Sequence, residues 1–220
     1  ETTIFTVSVT DGSVVTPITN TATTVVSTSV NDAPVIIAGA GAAGQAVNDN
    51  ATISPFTGYT LTDADNPAQT QTLTVALDNA AKGTLSSTTS VGSYNPATGV
   101  YSFTGTAVAA QAAIQSLVFT PAQNRVAVGA TETTSFTVSS FDGFTTTTNN
   151  TASVISTSMN DAPVLGGASI GQLVNDNATL SPFTNFTVTD VDGAQIQNVT
   201  VKLDDFNKGT LTNLGSGSYD

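Results

Sequence analysis

Short runs in which apolar and hydroxylated residues alternate recur along the chain. Thr3-Ile-Phe-Thr-Val-Ser-Val9, Thr57-Gly-Tyr-Thr-Leu-Thr62, Gln71-Thr-Leu-Thr-Val-Ala-Leu77, Thr134-Ser-Phe-Thr-Val138 and Ala152-Ser-Val-Ile-Ser156 are the clearest. A period of two puts Thr and Ser on one face of a pleated strand and Val, Leu, Ile or Phe on the other. β-branched and aromatic residues fit such a half-buried surface. Asp-Gly, Asn-Pro and Thr-Gly pairs fall between the runs and mark turns. Many short strands at these spacings predict an all-β fold built from immunoglobulin-like sandwiches. Thr106–Gln115 breaks the pattern: it is Ala-rich without alternation, and reads as a short helix covering one sandwich edge, or as a loop. Lys82-Gly83 and Lys208-Gly209 read as hairpin turns.

The pattern also repeats at long range. Ser27-Thr-Ser-Val-Asn-Asp-Ala-Pro-Val35 returns 129 residues later as Ser156-Thr-Ser-Met-Asn-Asp-Ala-Pro-Val164. Val47-Asn-Asp-Asn-Ala-Thr-Ile-Ser-Pro-Phe-Thr57 returns from Val174 to Thr184, and Lys82-Gly-Thr-Leu85 from Lys208 to Leu211. Glu1-Thr-Thr with Phe5-Thr-Val-Ser matches Glu132-Thr-Thr with Phe136-Thr-Val-Ser. The offset drifts by a residue or two, as insertions in loops make it do. Residues 1–30 then read as the C-terminal part of one repeat, 31–159 as a complete repeat and 160–220 as the N-terminal half of another. A unit of this length is domain-sized, too long for a solenoid turn.

Charge narrows the chemistry. Sixteen acidic residues face four basic ones, a net charge of −12, with no His, Cys or Trp. Binding to nucleic acid or anionic membrane needs Lys and Arg, so neither is an expected partner. Ca²⁺ takes only oxygen ligands, whereas Zn²⁺ sites draw mainly on His and Cys. The commonest general base and the thiol nucleophile are missing, and the acids cluster in turns, so no enzymatic activity is expected. No apolar run approaches the roughly 18 residues of a membrane-spanning helix.

The acids sit at recurring places. Asn31-Asp-Ala-Pro34 joins one repeat to the next, and its Pro stiffens the joint. Asp63-Ala-Asp65, copied as Asp190-Val-Asp192, follows the second strand of a repeat. Asp142-Gly143 lies between the last two strands, with Asp11-Gly12 as its counterpart. In an immunoglobulin-like sandwich the incoming linker, the turn after strand B and the turn between F and G share one end. Asn31, Asp32, Asp63, Asp65 and Asp142 should therefore converge. Singly, each reads as an Asx turn capping its own backbone; together at one pole, their like charges call for a cation with six to eight oxygen ligands. Val47-Asn-Asp-Asn50 reads as a tight turn between the first two strands, with a separate small metal site as the alternative.

The Asn-Asp-Ala-Pro linkers, the Asp-x-Asp turns and the Asp-Gly turn ahead of the next linker resemble the cadherin calcium pattern. With the Ala-rich segment running into Ser116-Leu-Val-Phe-Thr-Pro121, the repeat is similar to the cadherin-like repeats of very large bacterial surface adhesins. The resemblance implies Ca²⁺ at each junction, held by Asn31, Asp32, Asp63, Asp65 and Asp142, and at the next junction by Asn160, Asp161, Asp190 and Asp192. Cadherins add glutamates from the preceding domain, and the only Glu residues here are Glu1 and Glu132. Fewer ions per junction and an affinity nearer the millimolar range of extracellular modules are expected.

The leading functional expectation is a structural, calcium-stiffened spacer of an extracellular, cell-surface adhesin, whose partners are the neighbouring repeats of its own chain. A filament subunit assembled by strand complementation between copies is one alternative if the polypeptide stops at both points, since 1–30 and 160–220 each read as part of a sandwich; a window of a longer chain is the preferred account. A carbohydrate-binding module is the other; it would need exposed aromatic platforms, whereas the aromatics fall mostly at inward positions.

Overall fold

The computed structural model describes residues 1–13, 16–65, 68–193, 195–212 and 215–218. Its strands are β1 (Thr2–Val9), β2 (Ile18–Val26), β3 (Val35–Ile37), β4 (Gln45–Asn48), β5 (Thr60–Thr62), β6 (Thr70–Leu77), β7 (Gly83–Ser87), β8 (Ser93–Asn95) and β9 (Val100–Thr106). The helix α1 (Ala107–Gln115) follows, then β10 (Leu117–Pro121), β11 (Thr131–Phe141), β12 (Thr146–Asn149), β13 (Ser153–Thr157), β14 (Val164–Gly166) and β15 (Thr187–Thr189). The fold is all-β, with one α-helix among the described residues. Residues Glu1–Asp161 and Ala162–Asp220 form two compact units.

In the first unit, β4, β13, β11, β6, β9 and β8 hydrogen-bond side by side in that order, and β12 pairs with the far half of β11. All these pairings are antiparallel except β13 with β4, which run parallel from Val154–Gln45 to Thr157–Asn48. Two smaller sheets, β3–β5 and β7–β10, close the opposite side. Alternation delivers the core as the sequence predicts. Gln71, Leu73, Val75 and Leu77 of β6 and Phe136, Val138 and Ser140 of β11 point inward, and their Thr and Ser neighbours do not. They meet Ile36, Leu61, Leu85, Leu117 and Phe119 from the smaller sheets. Phe136 forms the centre, edge-on to Phe56 on one side and to Phe119 on the other, each at 5.2 Å.

The Ala-rich segment is a helix. Thr106 caps it by accepting from Ala109 N at 3.2 Å, which satisfies one of the free donors of the first turn. Small Ala side chains let α1 lie close over β5, with Ala110, Ala113 and Ile114 buried. Gln111 Oε1 accepts from Leu61 N at 3.1 Å and Gln115 donates to Tyr59 O at 2.7 Å, so the helix completes hydrogen bonds along an otherwise open edge. Lys82-Gly83 is not a hairpin turn. A 3₁₀ turn over Ala80–Lys82 carries the chain from β6 in the large sheet to β7 in the other, because Asn79 caps Ala81 N and Lys82 is held by Asp78 and Thr133 O.

The β1–β2 hairpin of the first unit is exposed along its whole length. In the second unit, β14 pairs with β15 as β3 does with β5. Gln172 donates to Pro182 O at 3.1 Å as Gln45 does to Pro55 O at 3.0 Å.

Candidate functional site

The incoming linker, the turn after β5 and the β11–β12 turn meet at one pole of the sandwich. Asp142 is the most buried member. Gly143 takes φ of 102°, a value that L side chains adopt with strain, and the chain turns back so that Phe144 N and Thr145 N reach Asp142 Oδ1 at 2.7 and 2.6 Å. Asp142 Oδ2 accepts from Asn31 Nδ2 at 3.1 Å, across 111 positions of sequence. Asp65 Oδ2 accepts from Asp32 N at 3.2 Å, and Asp63 Oδ1 from Asp65 N at 3.1 Å. The five residues thus form one connected cluster.

Two glutamines extend it. Gln69 Nε2 donates to Asn31 Oδ1 at 2.9 Å. Gln71, fully buried in β6, donates to Asp63 Oδ2 at 2.5 Å and accepts from Ser140 Oγ at 2.9 Å. Gln71 in this way ties the interior of the sandwich to the pole with both ends of its amide bonded, the condition on which buried polar groups are tolerated, whereas Gln69 Oε1 is buried with no partner among the described residues. Sequence reasoning missed Gln71. Its signal is a polar residue in the inward phase of β6, repeated as Gln197, which donates to Asp190 Oδ2 at 2.6 Å.

Burial pushes the Asp142 carboxyl up, but the Thr145 and Phe144 N–H groups and the Asn31 amide favour the charged form and hold it below the ordinary carboxylate value. A group depressed in the folded state contributes stability above its unfolded pKa, and the contribution is lost as pH falls through the folded value. In calcium-free buffer the stability difference between the native chain and Asp142→Asn should be largest near neutrality and shrink below about pH 4. Urea titrations at a series of pH values check this; a constant difference would contradict it.

All the donors here are oxygens or amides, which suits a hard cation. Among the described residues, however, no three carboxylates approach closely enough to ligate one ion as they stand; Asp63 and Asp142 each give one oxygen to their own turn and the other to an amide side chain. The Asp32 carboxylate and Asp65 Oδ1 accept no hydrogen bond among the described residues. The Asp32 carboxylate and Asp65 Oδ1 are therefore the oxygens with which an ion would start.

The second predicted set is divided between the units. In the first, Asn160 Nδ2 donates to Asp161 O at 2.8 Å, as Asn31 does to Asp32 O at 3.2 Å. Asp161 Oδ2 accepts from Asn124 Nδ2 at 3.1 Å. In the second, Asp190 Oδ1 accepts from Asp192 N at 3.0 Å, the same bond that joins Asp63 to Asp65.

Asp49 of the Val47-Asn-Asp-Asn50 motif has a role that its sequence did not announce. The motif turns, with Ala51 N donating to Asn48 O at 3.0 Å, but the Asp49 carboxylate is buried. Oδ1 accepts from Met159 N at 3.0 Å and Oδ2 from Asn124 N at 3.1 Å, fastening the outgoing linker and the loop before β11 to the start of the repeat. Not all aromatics face inward: Phe141 and Phe144 flank Asp142 in solvent, while Phe56, Tyr59, Tyr101, Phe119 and Phe136 are buried. No helix of the described residues is long and apolar enough to cross a membrane. No protein-family model matches the chain, and no curated protein matches it.

Proposed function

We propose that the chain is a non-enzymatic, structural segment of an extracellular bacterial surface adhesin, made of cadherin-like repeats whose joints are stiffened by Ca²⁺. The observation that carries this reading is the cluster in which the linker residues Asn31 and Asp32 are bonded to Asp142 and Asp65. A joint built this way changes stiffness when the cluster does. Asn31 and Asp32 belong to the connection between repeats, whereas Asp63, Asp65 and Asp142 belong to the sandwich. An ion ligated by both groups fixes the direction in which the linker enters, and since it binds only the ordered joint it stabilises that joint with the logarithm of its concentration.

Asn31, Asp32, Asp63, Asp65 and Asp142 would hold the ion. To bind, the carboxylates exchange part of their turn hydrogen bonds for metal contacts, which agrees with an affinity nearer millimolar than nanomolar. Small-angle scattering of the chain in millimolar Ca²⁺ should show a longer maximum dimension than in chelator. The double variant Asp63→Asn with Asp65→Asn should give the chelator profile under both conditions. Identical profiles for the native chain with and without Ca²⁺ would refute the reading.

A further inference from the structure

Where the chain leaves the sandwich, two buried polar atoms have no partner. Ser158 is 3% exposed, and its Oγ makes no hydrogen bond among the described residues. Asn124 Oδ1 is buried in the same condition, while Nδ2 of the same amide donates to Asp161 Oδ2 at 3.1 Å. A buried hydroxyl or amide oxygen left unpaired costs free energy, so two of them side by side call for a ligand. Asp49 adjoins both. The parallel ladder of β4 and β13 reaches Thr157 opposite Asn48, and Asp49 N donates to Thr157 O at 2.9 Å, so the next pair in register is Ser158 with Asp49. Residues opposite one another in a ladder project from the same face. Asn124 N lies 3.1 Å from Asp49 Oδ2.

Asp49 also lacks a counter-charge. It is 5% exposed and accepts from Met159 N and Asn124 N, but among the described residues no basic side chain pairs with it. Arg125, next to Asn124 in sequence, is held by Glu132 at 2.7 Å. Buried carboxylates are ordinarily paired or bound to metal. One N–H bond to each oxygen leaves both with a further lone pair. Asp49 lines an open cleft of about 400 Å³ with Asn50, Thr52, Thr120 and Gln123, through which an ion and its waters can arrive.

We infer that Asp49, Ser158, Asn124 and Asp161 form a separate cation site at the exit of the sandwich, taking a hard divalent ion such as Ca²⁺. The Asp49 and Asp161 carboxylates, Ser158 Oγ and Asn124 Oδ1 supply the protein ligands, and water from the cleft completes the shell. All are oxygens, as such an ion requires. The ion is not the one proposed for the incoming linker. Thr131 at one end of β11 pairs with Thr157, and Asp142 follows the other end. Eleven residues rising roughly 3.3 Å each hold those ends about 33 Å apart. An ion at the exit neutralises Asp49 and locks the outgoing linker to the loop before β11 and to the start of the sandwich, whether or not the incoming linker binds one.

Titration of the 220-residue chain with CaCl₂ at constant ionic strength, followed by amide NMR, tests this beside the variant Ser158→Ala. The Met159 and Asn124 amides should shift with a midpoint near the millimolar range of extracellular sites. In Ser158→Ala that midpoint should rise about tenfold, the smallest loss typical even of an outer-shell partner of a metal. In chelator the same variant should unfold at a urea concentration equal to or above that of the native chain, because an unpaired buried hydroxyl contributes nothing to stability. The Phe144 and Thr145 amides report the incoming linker in the same spectra, so failure at one pole is told apart from failure at the other. Met159 and Asn124 amides that ignore Ca²⁺, a native midpoint in Ser158→Ala, or a variant less stable than the native chain in chelator would each overturn the inference.

Discussion

Phe136→Ala is expected to lower the stability of the complete repeat by about 3–5 kcal/mol, the cost of emptying a buried aromatic site. Phe136 sits between Phe56 and Phe119, meeting each edge-on at 5.2 Å, so one substitution removes both aromatic contacts along with the buried ring. The cavity cannot be filled from within its own strand, because Thr134 and Val138 belong to neighbouring inward positions and Ala152 is already packed. Domains of this kind are stable by about 5–15 kcal/mol, so the variant gives up a large share of the total. Urea unfolding followed by far-ultraviolet circular dichroism should show a much lower midpoint. Phe144→Ala, at a position 76% exposed, should stay within about 0.5 kcal/mol of the native chain. Equal midpoints for the two variants would show that the aromatic row is not the centre of the core.

The second large effect is expected at Asp49. Asp49→Ala takes the acceptor away from two backbone donors at once, Met159 N and Asn124 N. Each donor buried without a partner costs about 1–3 kcal/mol, and because both bonds here are only part-buried a combined loss of about 2–4 kcal/mol is expected. Asn124 stands at φ of 57°, a left-handed conformation that Asn tolerates better than most residues but that still needs holding. Losing the carboxylate therefore loosens the loop before β11 as well as the outgoing linker. Hydrogen exchange reads the two ends separately: the Asn124 and Met159 amides should lose protection together. Asp49→Asn, which keeps one acceptor oxygen, should fall between the two. Unchanged exchange at Met159 would show that the linker is fastened by something else.

The strands of the core were legible because their alternation is physical: Leu73, Val75 and Leu77, or Phe136 and Val138, cannot face inward together unless the backbone is extended. The helix was legible by its lack of alternation. Lys82-Gly83 was misread because a Gly after a polar turn looks the same in a hairpin and in a crossing between sheets, and only the partner of β7 decides. The pole formed by Asn31, Asp32, Asp63, Asp65 and Asp142 could be anticipated from topology, since the two ends of a sandwich alternate along the chain. How its oxygens are used could not, because whether Asp142 caps its own turn depends on atomic positions that no spacing encodes. Asp49 was hidden for the same reason. Its partners lie 75 and 110 residues away and are backbone groups, which carry no signature of their own.

The parallel pairing of β13 with β4 has a mechanical consequence. β4 lies near the start of the complete repeat and β13 leads out of it, so tension applied at the two linkers drags these strands past each other lengthwise. An antiparallel hairpin pulled at its open end parts one rung after another. Side-by-side strands pulled from opposite ends must break their rungs together, so the register from Val154–Gln45 to Thr157–Asn48 shares the load. Under the proposed role as a spacer, the repeat would thereby be braced at the place where the pull arrives.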